Sequence, residues 1–194
     1  MSKILIATRN DDKYKIVSEL LKSTIFEDKE FYYLKNINEQ IEDNEEKGDI
    51  INRSYEKAKN ILNNIKNNDF QFIVGVDDGI KIKDKIIENV KDYINSIING
   101  ELLKENEIVY IVRAYTFIEK NGKEKSIITE IPFQYRKQTK EILIKKDSYP
   151  LSNVLSPLDS SKVISEQSFE ESNDYYTIYS KKLLEEVKEF FNDK

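Results

Sequence analysis

The chain contains no histidine and no cysteine in 194 residues. Without cysteine there are no disulfides, no thiolate nucleophile and no cysteine-based zinc site. Without histidine there is no Ser-His-Asp triad and no imidazole base. Any acid–base chemistry therefore falls to carboxylates, lysines or a metal-bound water. Any metal sits among oxygen ligands, which favours Mg²⁺ or Mn²⁺. An excess of positive charge is also missing. With 31 Lys and Arg against 36 Asp and Glu, the net charge is −5. No global basic field exists to hold nucleic acid, and no nucleic-acid partner is expected. An acidic chain that handles phosphates must do so with local lysines and a cation. No apolar run approaches the ~18 residues of a membrane span. Nothing at the N-terminus has the pattern of a signal peptide, so a cytoplasmic location without a membrane partner is the expectation.

What is present suits a folded protein. Apolar residues make up 39% of the chain, and the twelve tyrosines and nine phenylalanines argue against disorder. No internal repeat, low-complexity linker or domain boundary is visible, so 1–194 reads as one α/β domain able to bury a real core.

The most informative stretch is the first. Ile4, Leu5, Ile6 and Ala7 form an apolar run of strand length, which passes straight into Thr8-Arg9-Asn10. Beyond it Ile16, Val17, Leu20 and Leu21 recur at helical spacing. Asn10 is placed as an N-cap, which puts Lys13 at the third helical position with its ammonium able to reach back to the turn. Backbone amides, a hydroxyl, an amide and a lysine then face one small volume where a phosphate fits.

A second strand is expected over 31–37, followed by a polar, acid-rich loop holding Glu45 and Glu46. Ile51, Tyr55, Ala58, Leu62 and Ile65 mark an amphipathic helix over about 49–66, with Arg53 and Lys57 near its start. An apolar strand over 70–76 ends in Asp77-Asp78-Gly79, and a short strand follows over 80–83. Adjacent carboxylates at the end of a buried strand lose hydration and repel one another unless a cation sits between them. A hairpin turn at Asp-Gly is the plain alternative. A helix is expected over 89–100, and two strands over 108–119 and 125–137 joined at Asn121-Gly122. A further strand is expected over 141–145 and a loop over 148–161. A closing helix over 175–192 has Ile178, Leu183, Leu184, Val187, Phe190 and Phe191 as its buried stripe.

The pattern Thr8-x-Asn10-x-x-Lys13 after an N-terminal strand resembles the opening signature of the inosine triphosphate pyrophosphatase family, which hydrolyses non-standard purine nucleoside triphosphates. Three further segments follow in matching order. Glu45-Glu46-Lys47-Gly48 precedes a helix with Lys57-Ala58, Asp77-Asp78-Gly79-Ile80 is similar to the Asp-Ser-Gly-Leu element, and Lys162 to Glu166 with Glu170-Glu171 precedes the last helix. The resemblance implies a long mixed central sheet flanked by helices, in two lobes with a cleft between them, and usually a homodimer. It implies Mg²⁺, or Mn²⁺, held by Glu46 and Asp77, with Thr8, Asn10, Lys13, Arg53 and Lys57 on the phosphates of a nucleoside triphosphate. Asp77 or Asp78 orients or deprotonates the attacking water, and nucleoside monophosphate and pyrophosphate are released.

The base-reading parts depart from the family. Its Ser-His-Arg triplet falls here at Thr177-Ile178-Tyr179, and its Gly-Phe-Gly-Tyr/Trp-Asp-Pro loop is reduced to Ser148-Tyr149-Pro150. Tyr149 and Thr177 become the candidate base contacts. Two readings follow: a pyrophosphohydrolase for inosine, xanthosine or deoxyinosine triphosphate with altered base preference, or a catalytically silent nucleotide-binding or interaction protein on the same scaffold.

Overall fold

Residues 3–37, 41, 48–65, 69–137, 149 and 151–192 are described by a computed structural model. The first apolar run is strand β1 (Lys3–Ala7), and the change of period gives helix α1 (Asp11–Lys22). Asn10 caps it, its side-chain oxygen accepting from the Lys13 amide at 2.7 Å. Strand β2 (Glu30–Tyr33) follows, then helix α2 (Ile50–Asn64) behind an Asp49 cap. Strand β3 (Phe70–Ile82) leads into β4 (Lys85–Ile87) and helix α3 (Val90–Ile98). The long hairpin of β5 (Ile108–Glu119) and β6 (Glu124–Tyr135) comes next, then β7 (Leu155–Ser156). Helices α4 (Phe169–Tyr179) and α5 (Lys181–Asn192) close the chain.

The described strands form one mixed seven-stranded sheet in the order β2-β1-β3-β5-β6-β7, with β4 added to the far end of β3. β1 runs parallel to both neighbours, and every other pairing is antiparallel. After β1 the chain passes through α1 to one side, then through α2 to the other. The C-terminal end of β1 is thus a topological switch point, where open α/β sheets hold their ligands.

Two layers of helix cover the sheet. On one face Ile4, Ile6, Val74, Val76 and Tyr115 pack with α1 through Val17 and Leu21, and with α5 through Leu183, Val187 and Phe191. On the other, Leu5, Ala7, Ile73 and Ile118 pack with Ala58 and Ile61 of α2. The buried face of α2 is Ile50, Ser54, Ala58 and Ile61, with Ile51 36% exposed, so the face is rotated about one residue from the stripe expected around Ile51 and Tyr55. Close approach explains the rotation. A Cβ built on Gly75 falls 1.8 Å from the Ser54 carbonyl oxygen, so α2 lies against β3 where only glycine fits. The Ser54 hydroxyl, fully buried, bonds Thr116 at 2.7 Å.

Three further expectations change. Asp77-Asp78-Gly79 is neither a strand end nor a turn: β5 pairs with β3 continuously from Phe72 to Ile82, and this ladder overrides the local Asp-Gly signal. The chain reverses instead after Ile82, where Lys83 adopts φ 55°. β2 stops at Tyr33, because the Leu34 amide turns to the Thr8 carbonyl at 3.2 Å and Leu34–Asn36 closes a 3₁₀ turn. The last helix is two. α4 begins earlier than expected because Ser168 and Glu171 form a capping box, and the fully buried Ser180 leaves helical geometry with φ −102° and ψ 10°. Ile178, placed in the buried stripe, is 55% exposed. The strand expected over 141–145 lies outside the described residues.

Candidate active site

β1 accompanies β3 only as far as Gly75, and β4 joins the same edge from Ile80. Asp77 and Asp78 occupy the interval, beside the Thr8–Asn10 turn that follows β1. Being consecutive in a strand, their side chains point to opposite faces. Each therefore meets its own pair of cations.

Asp77 turns to the α2 face and is 3% exposed. Lys57 pairs with its Oδ1, and Arg53 Nε stands 2.8 Å from its Oδ2. The Arg53 approach lies off the hydrogen-bonding direction, so both of those buried atoms are ion-paired without a hydrogen bond among the described residues. Arg53 is steadied from behind by Nη1 donating to the Glu88 carbonyl at 3.0 Å. The one-turn spacing of Arg53 and Lys57 brings both onto the same carboxylate.

Asp78 turns to the α1 face. Arg113, directly opposite on β5, donates Nε to Oδ1 at 2.6 Å and Nη2 to Oδ2 at 3.2 Å. The Lys13 ammonium reaches Oδ2 at 3.0 Å. Burial by itself pushes the Asp78 carboxyl up, but the charges and hydrogen bonds of Arg113 and Lys13 outweigh it and hold the group well below the usual carboxylate range. Burial draws Lys13 down from the ordinary lysine value, with Asp78 opposing that shift and Lys57 and Arg113 adding to it. The Tyr176 ring of α4 covers the Arg113 guanidinium at 5.3 Å, and burial pushes that phenol up to about 12.

At the first turn, Thr8 Oγ1 accepts from the Asn10 amide at 3.1 Å, and Asn10 Oδ1 is taken up by the Lys13 amide. Thr8 and Asn10 thus build the turn that aims Lys13. Asp11, in the first turn of α1, is engaged by Lys35 and Tyr33.

Of the residues singled out in the sequence, Lys13, Arg53, Lys57, Asp77 and Asp78 converge around the mid-point of β3, with Thr8 and Asn10 at the adjoining turn. Tyr149 is buried at its hydroxyl, which has no hydrogen-bond partner among the described residues, and feels the charges of Asp78 and Arg113. Thr177 bonds the Asn173 carbonyl of its own helix at 2.8 Å. Its neighbour Tyr176 lies over the Arg113 guanidinium at the site. Glu46 lies outside the described residues. Arg113 was not singled out, although an isolated charge inside the apolar run of 108–118 was its available signal.

Among the described residues the two carboxylates are outnumbered by two lysines and two arginines, so the site is locally cationic within an acidic chain. Asp77 suits a hard divalent cation in donor type, and its Oδ2 retains hydrogen-bonding capacity that the described residues do not use. No group of three acidic side chains converges among the described residues. One or two carboxylates completed by substrate phosphates is the usual complement of Mg²⁺.

A mixed seven-stranded sheet, switched at β1 and covered by helices on both faces, defines the class: the α/β fold of the Ham1 and dITP/XTP pyrophosphatase structures. The particular likenesses span nearly the whole chain. A nucleoside-triphosphatase / dITP/XTP pyrophosphatase from Mycobacterium abscessus is 15% identical, over 91% of this chain and 94% of that one, with a TM-score of 0.55. The Ham1 protein of Staphylococcus aureus is 10% identical, over 96% and 98%, with a TM-score of 0.61. A HAM1 protein from Coxiella burnetii is 12% identical, over 100% of each chain, with a TM-score of 0.64. No protein-family model and no curated protein sequence matches the chain. No helix among the described residues is long and apolar enough to cross a membrane.

Proposed function

We propose that this protein is a Mg²⁺-dependent nucleoside triphosphate pyrophosphohydrolase, acting on inosine, xanthosine or deoxyinosine triphosphate or on a purine analogue with altered base contacts. The observation that carries the reading is the convergence of Lys13, Arg53, Lys57 and Asp77 beside the C-terminal end of β1. A locally positive turn is what a triphosphate needs in order to approach an acidic protein.

Lys13 and the turn amides after Thr8 hold the terminal phosphates from one side. Arg53 and Lys57, which pair with Asp77, turn to the phosphate oxygens from the other. Asp77 is thereby released to orient the water that attacks the α-phosphorus, with pyrophosphate as the leaving group. Asp77, together with Glu46, would hold Mg²⁺ or Mn²⁺. When bound, the ion supplies Lewis-acid polarisation of a phosphate oxygen. Asp78 takes no proton from water in this scheme, since both of its oxygens are engaged.

The test is pyrophosphate release from inosine, xanthosine, deoxyinosine and the common nucleoside triphosphates, with Mg²⁺ and with Mn²⁺. Product from at least one is expected, and silence across the panel rejects the reading. A second reading, a nucleotide-binding protein without turnover, rests on one observation: each carboxylate already faces two cations. It requires thermal stabilisation by a nucleotide with no product formed.

A further inference from the structure

Arg113 is 3% exposed, and the described structure gives its Nη1 no hydrogen-bond partner. Removing a guanidinium from water is costly, and a well-packed apolar residue at such a position is usually at least as stabilising. The arginine is not placed there by packing alone. Its fork closes on Asp78 with Nε at 2.6 Å and Nη2 at 3.2 Å, a two-point grip that fixes the carboxylate in orientation as well as in place. The Tyr176 ring lies over the guanidinium and blocks its withdrawal on that side. On β6 the residue opposite Arg113 is Thr129, itself buried. The carboxylate so fixed presents Oδ2 to the Lys13 ammonium at 3.0 Å. Lys13 in turn stands one helical turn from the Asn10 cap, beside the C-terminal end of β1.

We propose that Arg113 and Asp78 are positioning residues, a relay buried in the sheet that holds the Lys13 ammonium at the turn where the phosphates of the substrate bind. The relay rests on the phosphate-binding part of the function proposed above and not on turnover. It assigns the two adjacent aspartates different tasks: Asp77 faces the reaction and Asp78 faces a lysine. A short, strand-borne carboxylate locks a long, flexible side chain, which lowers the entropy lost when phosphate binds.

A double-mutant cycle with inorganic tripolyphosphate as the probe tests it on the whole chain, by calorimetry, with thermal melts confirming folding. Asp78→Asn and Lys13→Met should each weaken tripolyphosphate binding roughly 10- to 100-fold, the size of a lost charge-assisted contact. The double variant should bind no more than about twofold worse than Lys13→Met alone, since Asp78 acts through Lys13. Arg113→Lys keeps the buried charge but loses the fork, and should raise KM for the nucleotide more than it lowers kcat.

Fully additive losses in the cycle overturn the relay. So does a folded Asp78→Asn protein that binds tripolyphosphate as the wild type does while turnover falls, because Asp78 then acts on the reacting atoms. Tripolyphosphate binding by a wild-type protein that hydrolyses no nucleotide rejects the enzymatic reading and leaves the relay standing. A wild-type protein that does not bind tripolyphosphate overturns the relay, while the nucleotide panel decides the enzymatic reading by itself.

Discussion

Asp78 on β3 and Arg113 on β5 face each other across the centre of the sheet, joined at 2.6 Å and both under a tenth exposed. This is a buried ion pair between the two central strands of the sheet, with the buried Thr129 opposite Arg113 on β6. Removing Asp78 strands Arg113, whereas removing Arg113 leaves Asp78 with Lys13 alone. Arg113→Met is expected to cost about 1.5–3 kcal/mol of stability, because Lys13 still pairs with the Asp78 carboxylate. Replacing Asp78 by leucine in the same chain should recover only part of that loss, because Lys13 then loses its partner. Urea titrations of the single and double variants decide it.

The contact between α2 and β3 gives a second expectation. Gly75 cannot accept a side chain, because a Cβ there falls 1.8 Å from a backbone oxygen of Ser54. Gly75→Ala must push α2 off the sheet and should cost about 1–3 kcal/mol or more, with a fall in Tm. Since α2 carries Arg53 and Lys57, turnover should fall further than the lost stability explains. A melt within a degree or so of wild type would show that the helix does not sit as described.

Asp77→Asn separates the two functional readings. The substitution keeps the shape of the side chain, removes the negative charge and leaves Arg53 and Lys57 in place. An enzyme should lose turnover by ~10²-fold or more, while polyphosphate binding is kept or tightened as one repulsive carboxylate disappears. Initial rates paired with binding isotherms check it. Unchanged rates would remove Asp77 from the chemistry.

Acid sensitivity follows from the depressed Asp78 carboxyl. Its folded value lies below the ordinary one, so the pair's stabilisation is fully present above the ordinary carboxylate value near ~4 and is lost only as the pH falls through the lower folded value. Stability of the wild type should therefore drop more steeply below about pH 4 than that of Asp78→Asn. Urea midpoints measured over that range give the two slopes. Equal slopes would mean that Asp78 is not ion-paired in solution.

Local patterns in the sequence determined a good part of this protein. The period change at Asp11, the Asn10 cap, the Asn121-Gly122 hairpin and the long strand of 108–119 were all legible, because caps, turns and hydrophobic periods act over a few residues. The candidate phosphate turn and its lysine were legible for the same reason. Tertiary structure alone decided whether Asp77-Asp78-Gly79 turned or ran on, since that depended on a partner strand more than thirty residues away. It also decided which face α2 buries, through the close approach at Gly75, and that Tyr176 lies over Arg113. Strand alternation then sent the two aspartates to opposite faces, and only the packed helices and β5 supplied the cations that give them different work. Pairing between distant segments is not written in any window of sequence; it exists once the sheet has closed.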